Sequence, residues 1–346
     1  FHPNVFLKIL KNYILWDENG IDSKKILAGY HQFYAVEKAA VRAEKAVNGN
    51  GQIGVFWHTQ GSGKSLSMVM FAHHPMIQQM NATIIVITDR NDLDDQLFGQ
   101  FSRTKTFLRQ TASQATDRNN LRELLKNRVS GGIIFTTMQK FEEYDSPLSE
   151  RKNIIVMTDE AHRGQYGMEE KVDKEGRVHI GTARKIRNSL PNASFIGFTG
   201  TPISDKDRDT QEVFGDYIDV YDMTQAVEDG ATMPVYYESR VIKLKLDEEV
   251  LKQIDDEYDL LRQEGANESD IEQNKKEMSH MDALLGTKET INSLVEDILK
   301  HYEENRQYVC GGKAMIVAYS RPIAMKIYNR ILELRSDWTE KVKVVM

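Results

Sequence analysis

Lys64 and Ser65 stand directly after Thr59-Gln60-Gly61-Ser62-Gly63, and these seven residue types in this order are suited to holding a polyphosphate. Glycines let backbone N–H groups approach an anion closely, and a helix opening near Lys64 would aim its positive dipole end at the same place. Lys64 would reach the β- and γ-phosphates, and the Ser65 hydroxyl would ligate Mg²⁺. The strict pattern has Gly six residues before Lys64, where this chain has His58. An ordinary glycine-rich turn capping a helix is the competing reading.

Asp159-Glu160-Ala161-His162 comes about ninety-five residues later, directly after the apolar run Ile154 to Thr158. A carboxylate at a strand end can hold Mg²⁺ through water, and its neighbour can orient or deprotonate an attacking water. That assigns Asp159 to the metal and Glu160 to the water. Thr199-Gly200-Thr201-Pro202 follows another apolar run, and the Thr199 and Thr201 hydroxyls could sense a γ-phosphate through His162. A turn stabilised by threonine hydroxyls and proline is the plainer alternative. Arg90, Thr137, Gln139 and Lys140 also lie just beyond strand ends, where cations and hydroxyls could touch a nucleic-acid backbone without reading its sequence. Each one taken singly reads as a plain surface residue; their common edge makes the case. Gln32 carries an amide that both donates and accepts, as adenine's edge requires, although a surface Gln at a helix start reads equally well.

Two other chemistries lack their residues. A restriction-type nuclease site needs Glu-x-Lys on a strand, and Glu169-Glu170-Lys171 is the nearest string, read here as a polar loop. Nine histidines and the single Cys310 show no metal-ligand spacing, and His73-His74 reads as surface or packing.

The elements that must position these residues are legible as a pattern. Ile53–Trp57, Thr83–Ile87, Gly132–Thr137, Asn153–Met157 and Ala193–Phe198 are β-branched or apolar runs of strand length separated by helical stretches. Such alternation predicts an α/β fold with a doubly wound parallel sheet, whose ligands sit at the carboxyl ends of the strands. Before them, His2 to Trp16 reads as a packed helix, and a second helix runs to about Val47. Helical stretches are expected to Phe101 and from Ser113 to Arg128. Val235 to Leu246 reads as an extended crossing strand. A second α/β unit is expected from Lys313–Ser320, with a helix to about Leu334 and a strand at Val342–Met346.

Composition excludes little. The 346 residues are 40% hydrophobic and 28% charged, ordinary for a soluble protein of two or three domains. One cysteine fits a reducing cytoplasm, and no apolar run approaches a membrane span. The net charge of −7 is localised: Asp247 to Arg306 holds 18 acidic and 7 basic residues, leaving the remainder mildly basic. That balance is compatible with DNA, and the acidic run reads as a solvated helical face. The chain opens on Phe1, which reads as an excised piece.

The ordered strings resemble superfamily 2 ATPases, and more narrowly the restriction (motor) subunit of type I restriction–modification enzymes. The narrower likeness is carried by Gly29 to Lys38, Thr88 to Phe98, Asp159 to Arg163, Phe195 to Ile203, Phe214 to Tyr221, and Lys313 to Val317 with Ser320-Arg321. It implies a RecA-like P-loop fold: an opening helix over 1–28, a complete first lobe over 29–234, a crossing strand and acidic helical segment over 235–306, and the start of a second lobe over 307–346. It further implies that Gln32 and Thr59 to Ser65 bind ATP, that Ser320 joins the DNA-facing set, and that Mg²⁺ serves as cofactor. Methyltransferase and DNA-specificity subunits are the implied partners, and translocation along double-stranded DNA is the implied activity. Cleavage is not expected of this stretch, and as a central motor fragment it is expected to hydrolyse ATP scarcely by itself. Another superfamily 2 DNA or RNA helicase, or a nucleotide-gated DNA-binding module without hydrolysis, are the alternatives.

Overall fold

The computed structural model describes residues 2–19, 22–88, 91–141, 146–162, 170–172, 178–202, 204–205, 208–240, 285–308 and 312–345. Arg90, Arg163, Glu169, the expected strand over 241–246 and the acidic run over 247–284 lie outside the described residues. The chain divides into two compact units, Phe1–Val235 and Tyr236–Met346.

In the first unit, helix α1 (Pro3–Asn12) runs into an antiparallel hairpin of β1 (Ile14–Asn19) and β2 (Asp22–Leu27). Helix α2 (Tyr30–Val47) then leads to β3 (Gln52–His58), α3 (Lys64–His73), α4 (Pro75–Gln79) and β4 (Thr83–Thr88). Next come α5 (Asn91–Arg103), α6 (Lys105–Leu108), β5 (Ala112–Gln114), α7 (Arg118–Lys126), β6 (Ile133–Thr137) and β7 (Ile154–Thr158). A short ribbon of β8 (Glu170–Val172) and β9 (Val178–Ile180) precedes α8 (Thr182–Ser189) and β10 (Ser194–Thr199). A second ribbon, β11 (Ser204–Asp205) with β12 (Arg208–Asp209), precedes α9 (Thr210–Phe214), β13 (Tyr217–Tyr221) and α10 (Met223–Glu228).

Seven of these strands form one parallel sheet in the order β13-β3-β10-β7-β4-β6-β5. Side chains of a strand alternate between faces, and the core follows that period. Ile84, Val86, Ile133, Phe135, Ile155 and Met157 enter one apolar layer with α2, α3 and α5. Ile85, Ile87, Ile134, Ile154 and Val156 enter the other with α7, α8 and α9. Every residue of β4, β6, β7 and β10 is buried, because helices cover both faces. This is the doubly wound sheet expected from the strand pattern and the RecA-like fold implied by the resemblance.

Four expectations are corrected. The opening helix stops at Asn12, and Ile14–Asn19 is a strand; Leu15 is buried while Trp16 is half-exposed beneath Lys25. Ser113 lies in β5, so the helix begins only at Arg118, after Asp117 caps it by accepting from the Asn119 and Asn120 N–H groups. Glu170 and Lys171 sit in β8 rather than in a loop; cross-strand pairing to β9 forms a strand that their polar pattern conceals. Beyond the first unit's sheet, 235–240, 313–320 and 342–345 carry no strand pairing among the described residues. Met315, Val317 and Val345 are more than four-fifths exposed there; apolar β-propensity marks a strand only where a neighbouring ladder exists.

That second unit is described by α11 (Lys288–Asn305) and α12 (Arg321–Leu334). Ile291, Val295 and Leu299 at four-residue spacing pack on Ile323, Ile327 and Ile331. Arg335 forks the Glu303 carboxylate at 2.5 and 2.8 Å.

Glu37 of α2 ties the sheet's first layer together. Its carboxylate accepts from Lys8 of α1, from the Tyr13 hydroxyl at 2.9 Å and from His74 Nε2 at 3.1 Å. Burial alone would raise its pKa, but the bonds from His74, Lys8 and Tyr13 hold it at about 2, below its ordinary 4.5. A depressed carboxylate pKa adds stability that is present above the unfolded value and lost as pH falls through the folded one. Glu37→Gln is expected to destabilise the protein by about 1–2 kcal/mol at neutral pH, after allowance for solvent screening. The difference should close between about pH 4.5 and 2. Urea unfolding of both proteins across that range checks it, and parallel pH profiles would refute it.

Candidate nucleotide site

The sheet order places β10 between β3 and β7, so three loops far apart in sequence meet at one carboxyl edge. Trp57 and His58 end β3, and the chain turns through Thr59 to Gly63 before α3 begins at Lys64. Gly63 caps that helix with φ 82°, a left-handed conformation, and Gly61 has φ 85°. A side chain at Gly63 would also meet Gln32 Nε2 at 2.7 Å. Non-glycine residues are disfavoured there on both counts.

Lys64 folds back over the loop, its Nζ 3.4 Å from the Thr59 carbonyl. Burial lowers its pKa, and the facing carboxylates Glu160 and Asp159 oppose that shift. Asp159 continues the β7 ladder through its N–H to Ile87 O at 3.0 Å, and Ala161 N–H ties the same turn to Phe198 O at 2.9 Å. Burial and the neighbouring Glu160 charge push the Asp159 carboxyl up to about 6. Glu160 itself has φ 46°, a left-handed backbone uncommon for a side-chain-bearing residue and a mark of sites held by their surroundings.

The third loop closes the arrangement. His162 Nδ1 lies 2.8 Å from Thr199 Oγ1 and 3.4 Å from a Glu160 carboxylate oxygen, and the Thr201 N–H donates to Thr199 Oγ1 at 3.1 Å. Gly200 fits directly against the phosphate loop: a Cβ there would meet Gln60 N and Lys64 Nζ, both at 3.3 Å. Trp57 Nε1 donates to the Gly200 carbonyl at 3.2 Å. Trp57 was not among the expected site residues, because only the strand order makes it a neighbour of the Thr199–Pro202 loop. Among the described residues no three His, Cys, Asp or Glu side chains cluster as a metal cage.

A family model for the SWI2/SNF2 ATPase matches residues 31–277, which takes in all three loops. The chain belongs to the SWI2/SNF2 ATPase family. This SWI2/SNF2 chain is 44% identical over 348 residues to the type I restriction enzyme HindI endonuclease subunit of Haemophilus influenzae, covering 97% of the chain and 32% of that protein. It is 36% identical over 359 residues to the provisionally named type I restriction enzyme MjaIXP endonuclease subunit of Methanocaldococcus jannaschii, covering 100% and 32%. The likeness to type I restriction subunits drawn from the motif strings therefore extends over nearly the whole chain, which spans about a third of the length of these curated relatives. A solved structure of the ATP-dependent type ISP restriction-modification enzyme LlaBIII bound to DNA overlaps at TM-score 0.49 and 12% identity, over 94% of this chain and 23% of that one.

The remaining expected residues of this SWI2/SNF2 ATPase fall in different settings. Gln32 is buried beneath the phosphate loop: Gly29 N–H donates to its Oε1 at 2.9 Å, and its Nε2 donates to Gly63 O at 2.9 Å. Both ends of the amide are thus engaged by the protein. Thr59 and Ser62 are buried, Ser65 is half-buried and Gln60 is exposed. Thr137 is buried at the end of β6, while Gln139 and Lys140 sit on the 3-10 turn Met138–Lys140 at the same sheet edge. Lys140 Nζ donates to Ala115 O. Ser320 caps α12, its Oγ accepting from Ile323 N at 3.5 Å. No helix among the described residues is long and apolar enough to cross a membrane.

Proposed function

We propose that this chain is the ATP-driven double-stranded DNA translocase motor of a type I restriction endonuclease complex, working with methyltransferase and specificity subunits in the cytoplasm. The observation that carries the reading is the meeting of Lys64, Asp159–Glu160 and the His162–Thr199 bond at one sheet edge.

The residues present suit ATP with Mg²⁺. A loop with two left-handed glycines leaves room for an anion, and Lys64 stands over it. Mg²⁺ is commonly held by one or two carboxylates together with phosphates and water rather than by a full protein cage. Ser65 and Asp159 are the residues that would hold it. When bound, ATP·Mg²⁺ supplies the phosphoryl group that is transferred to water and the metal charge that steadies it.

The protein groups then have distinct work. Gly61 to Ser65 present backbone N–H groups, and Lys64 adds a fixed positive charge in a site shielded from solvent, where electrostatic stabilisation counts most. Glu160, held in its unusual backbone conformation, orients a water and accepts its proton. His162, bonded to Thr199, joins the carboxylate loop to the β10 loop, so occupancy of one is transmitted to the other. Gln139, Lys140 and Arg90 supply cationic and polar groups for a phosphate backbone; Thr137, buried here, precedes the turn of Gln139 and Lys140, and Ser320 is a further polar contact for DNA.

Phosphate release by the full-length protein with its partner subunits, on blunt duplex DNA carrying or lacking a recognition site, tests this. Duplex-stimulated hydrolysis without strand separation is expected. Strand separation would instead indicate a helicase, and nucleotide binding without turnover a gated binding module.

A further inference from the structure

The loop is held from outside by two residues to which the sequence reading assigned no role, His31 and Tyr221. Tyr221, the last residue of edge strand β13, accepts the Thr59 N–H on its backbone carbonyl at 2.8 Å. Its ring stacks on His31 with centroids 4.1 Å apart and planes 6° from parallel. His31 Nε2 in turn lies 3.1 Å from the Ser62 carbonyl. A carbonyl can only accept, so Nε2 carries the proton and His31 donates. The Tyr221 hydroxyl donates to Asp229 at 2.9 Å, and the Tyr30 hydroxyl to the same carboxylate oxygen. Burial and that carboxylate push the Tyr221 phenol up to about 12, so it remains a donor.

Peptide geometry converts these contacts into an effect on the loop. In a trans peptide the C=O of one residue and the N–H of the next point in opposite directions. A donor that holds the Ser62 carbonyl outward therefore aims the Gly63 N–H inward. Gln32 does the same one step on, fixing the Gly63 carbonyl and with it the Lys64 N–H. An anion-binding loop depends on such N–H groups converging before the ligand arrives, because aligning them afterwards costs affinity. A second histidine secures the strand that carries the post. His58 is fully buried where the strict motif has glycine, and its Nε2 lies 3.1 Å from Asp219 Oδ2 on β13. Lys38 of α2 holds the other oxygen of Asp219 at 2.5 Å.

We propose that His31 and Tyr221 are positioning residues that pre-align the phosphate loop, with His58 and Asp219 locking the strand that carries Tyr221. The inference rests on the nucleotide-site reading, and it makes a separate claim: the pair acts on the phosphates and not on the base. His31→Phe keeps a ring on Tyr221 but removes the donor; His31→Gln keeps a donor and removes the stack; Tyr221→Leu removes the ring that seats His31.

The test is calorimetric binding of Mg²⁺ with ATP, and of Mg²⁺ with inorganic tripolyphosphate, to the full-length protein and each variant. His31→Phe and Tyr221→Leu should weaken both ligands by about tenfold, the equivalent of one well-placed hydrogen bond. His31→Gln should recover much of the loss. In steady-state hydrolysis KM should rise more than kcat falls. Loss of ATP affinity with tripolyphosphate unaffected would place His31 on the base and overturn the proposal. Unchanged affinities, or a drop in the melting temperature of nucleotide-free protein that His31→Gln does not restore, would overturn it too. If the unaltered protein binds neither ligand, the phosphate-loop reading itself falls.

Discussion

Lys64→Ala is expected to reduce DNA-stimulated ATP turnover of the full-length protein by at least about a hundredfold, the scale for removing one pre-aligned electrostatic group from a site. The side chain spans the loop to Thr59 and faces the carboxylates of Glu160 and Asp159 just beyond β7. Its charge is sustained against burial by Glu160 and Asp159, so alanine removes the only member of that trio that opposes phosphate charge. The same burial predicts a small effect on folding: desolvating an ammonium is unfavourable, and deleting it relieves that cost while leaving two carboxylates less well balanced. Melting without nucleotide should therefore change little. Phosphate release and thermal unfolding, measured on the same preparation, check both halves. Near-normal turnover would remove the phosphate-loop assignment.

Glu160→Gln should separate binding from chemistry. Glutamine has the same length and can occupy the same left-handed backbone, but it cannot take a proton from water. Turnover is expected to fall by about two orders of magnitude or more, the range for a positioned general base. ATP binding should survive, because Asp159, Ser65 and Lys64 are untouched. The substitution also removes one cause of the raised Asp159 pKa, leaving that carboxylate more readily ionised. Calorimetry beside single-turnover hydrolysis distinguishes the outcomes. Loss of ATP binding itself would make Glu160 a structural residue or a direct metal ligand.

How far the chain could be read without coordinates depended on whether a feature is local. The strands β4, β6, β7 and β10 were legible because continuous β-branched runs have few alternatives once helices flank them. The turn into α3 was legible because Gly61 and Gly63 announce a backbone that other residues resist. The opening segment was misread because Ile14 and Trp16 fit a helical period as well as an alternating one. The hairpin wins there through the pairing of β1 with β2 and the burial of Leu15 and Tyr13. In the second unit the apolar runs at 313–320 and 342–345 have strand composition but no paired ladder among the described residues.

By its residues alone, the chain determined where groups suited to a phosphate, a metal and a water stand: Lys64, Ser65, Asp159 and Glu160 follow strands whose apolar pattern is plain. Only the tertiary structure decided what stands beside them. The order β13-β3-β10-β7 brings Gly200 against Lys64, Thr199 against His162 and Tyr221 against His31, across separations of 37 to 190 residues. It also placed the Gln32 amide in the interior, bonded to the Gly29 N–H and the Gly63 carbonyl, rather than on the surface. The physical reason is that residue type and local period specify a strand and the loop that follows it, whereas the neighbour of each strand is chosen by packing two apolar layers over the whole sheet.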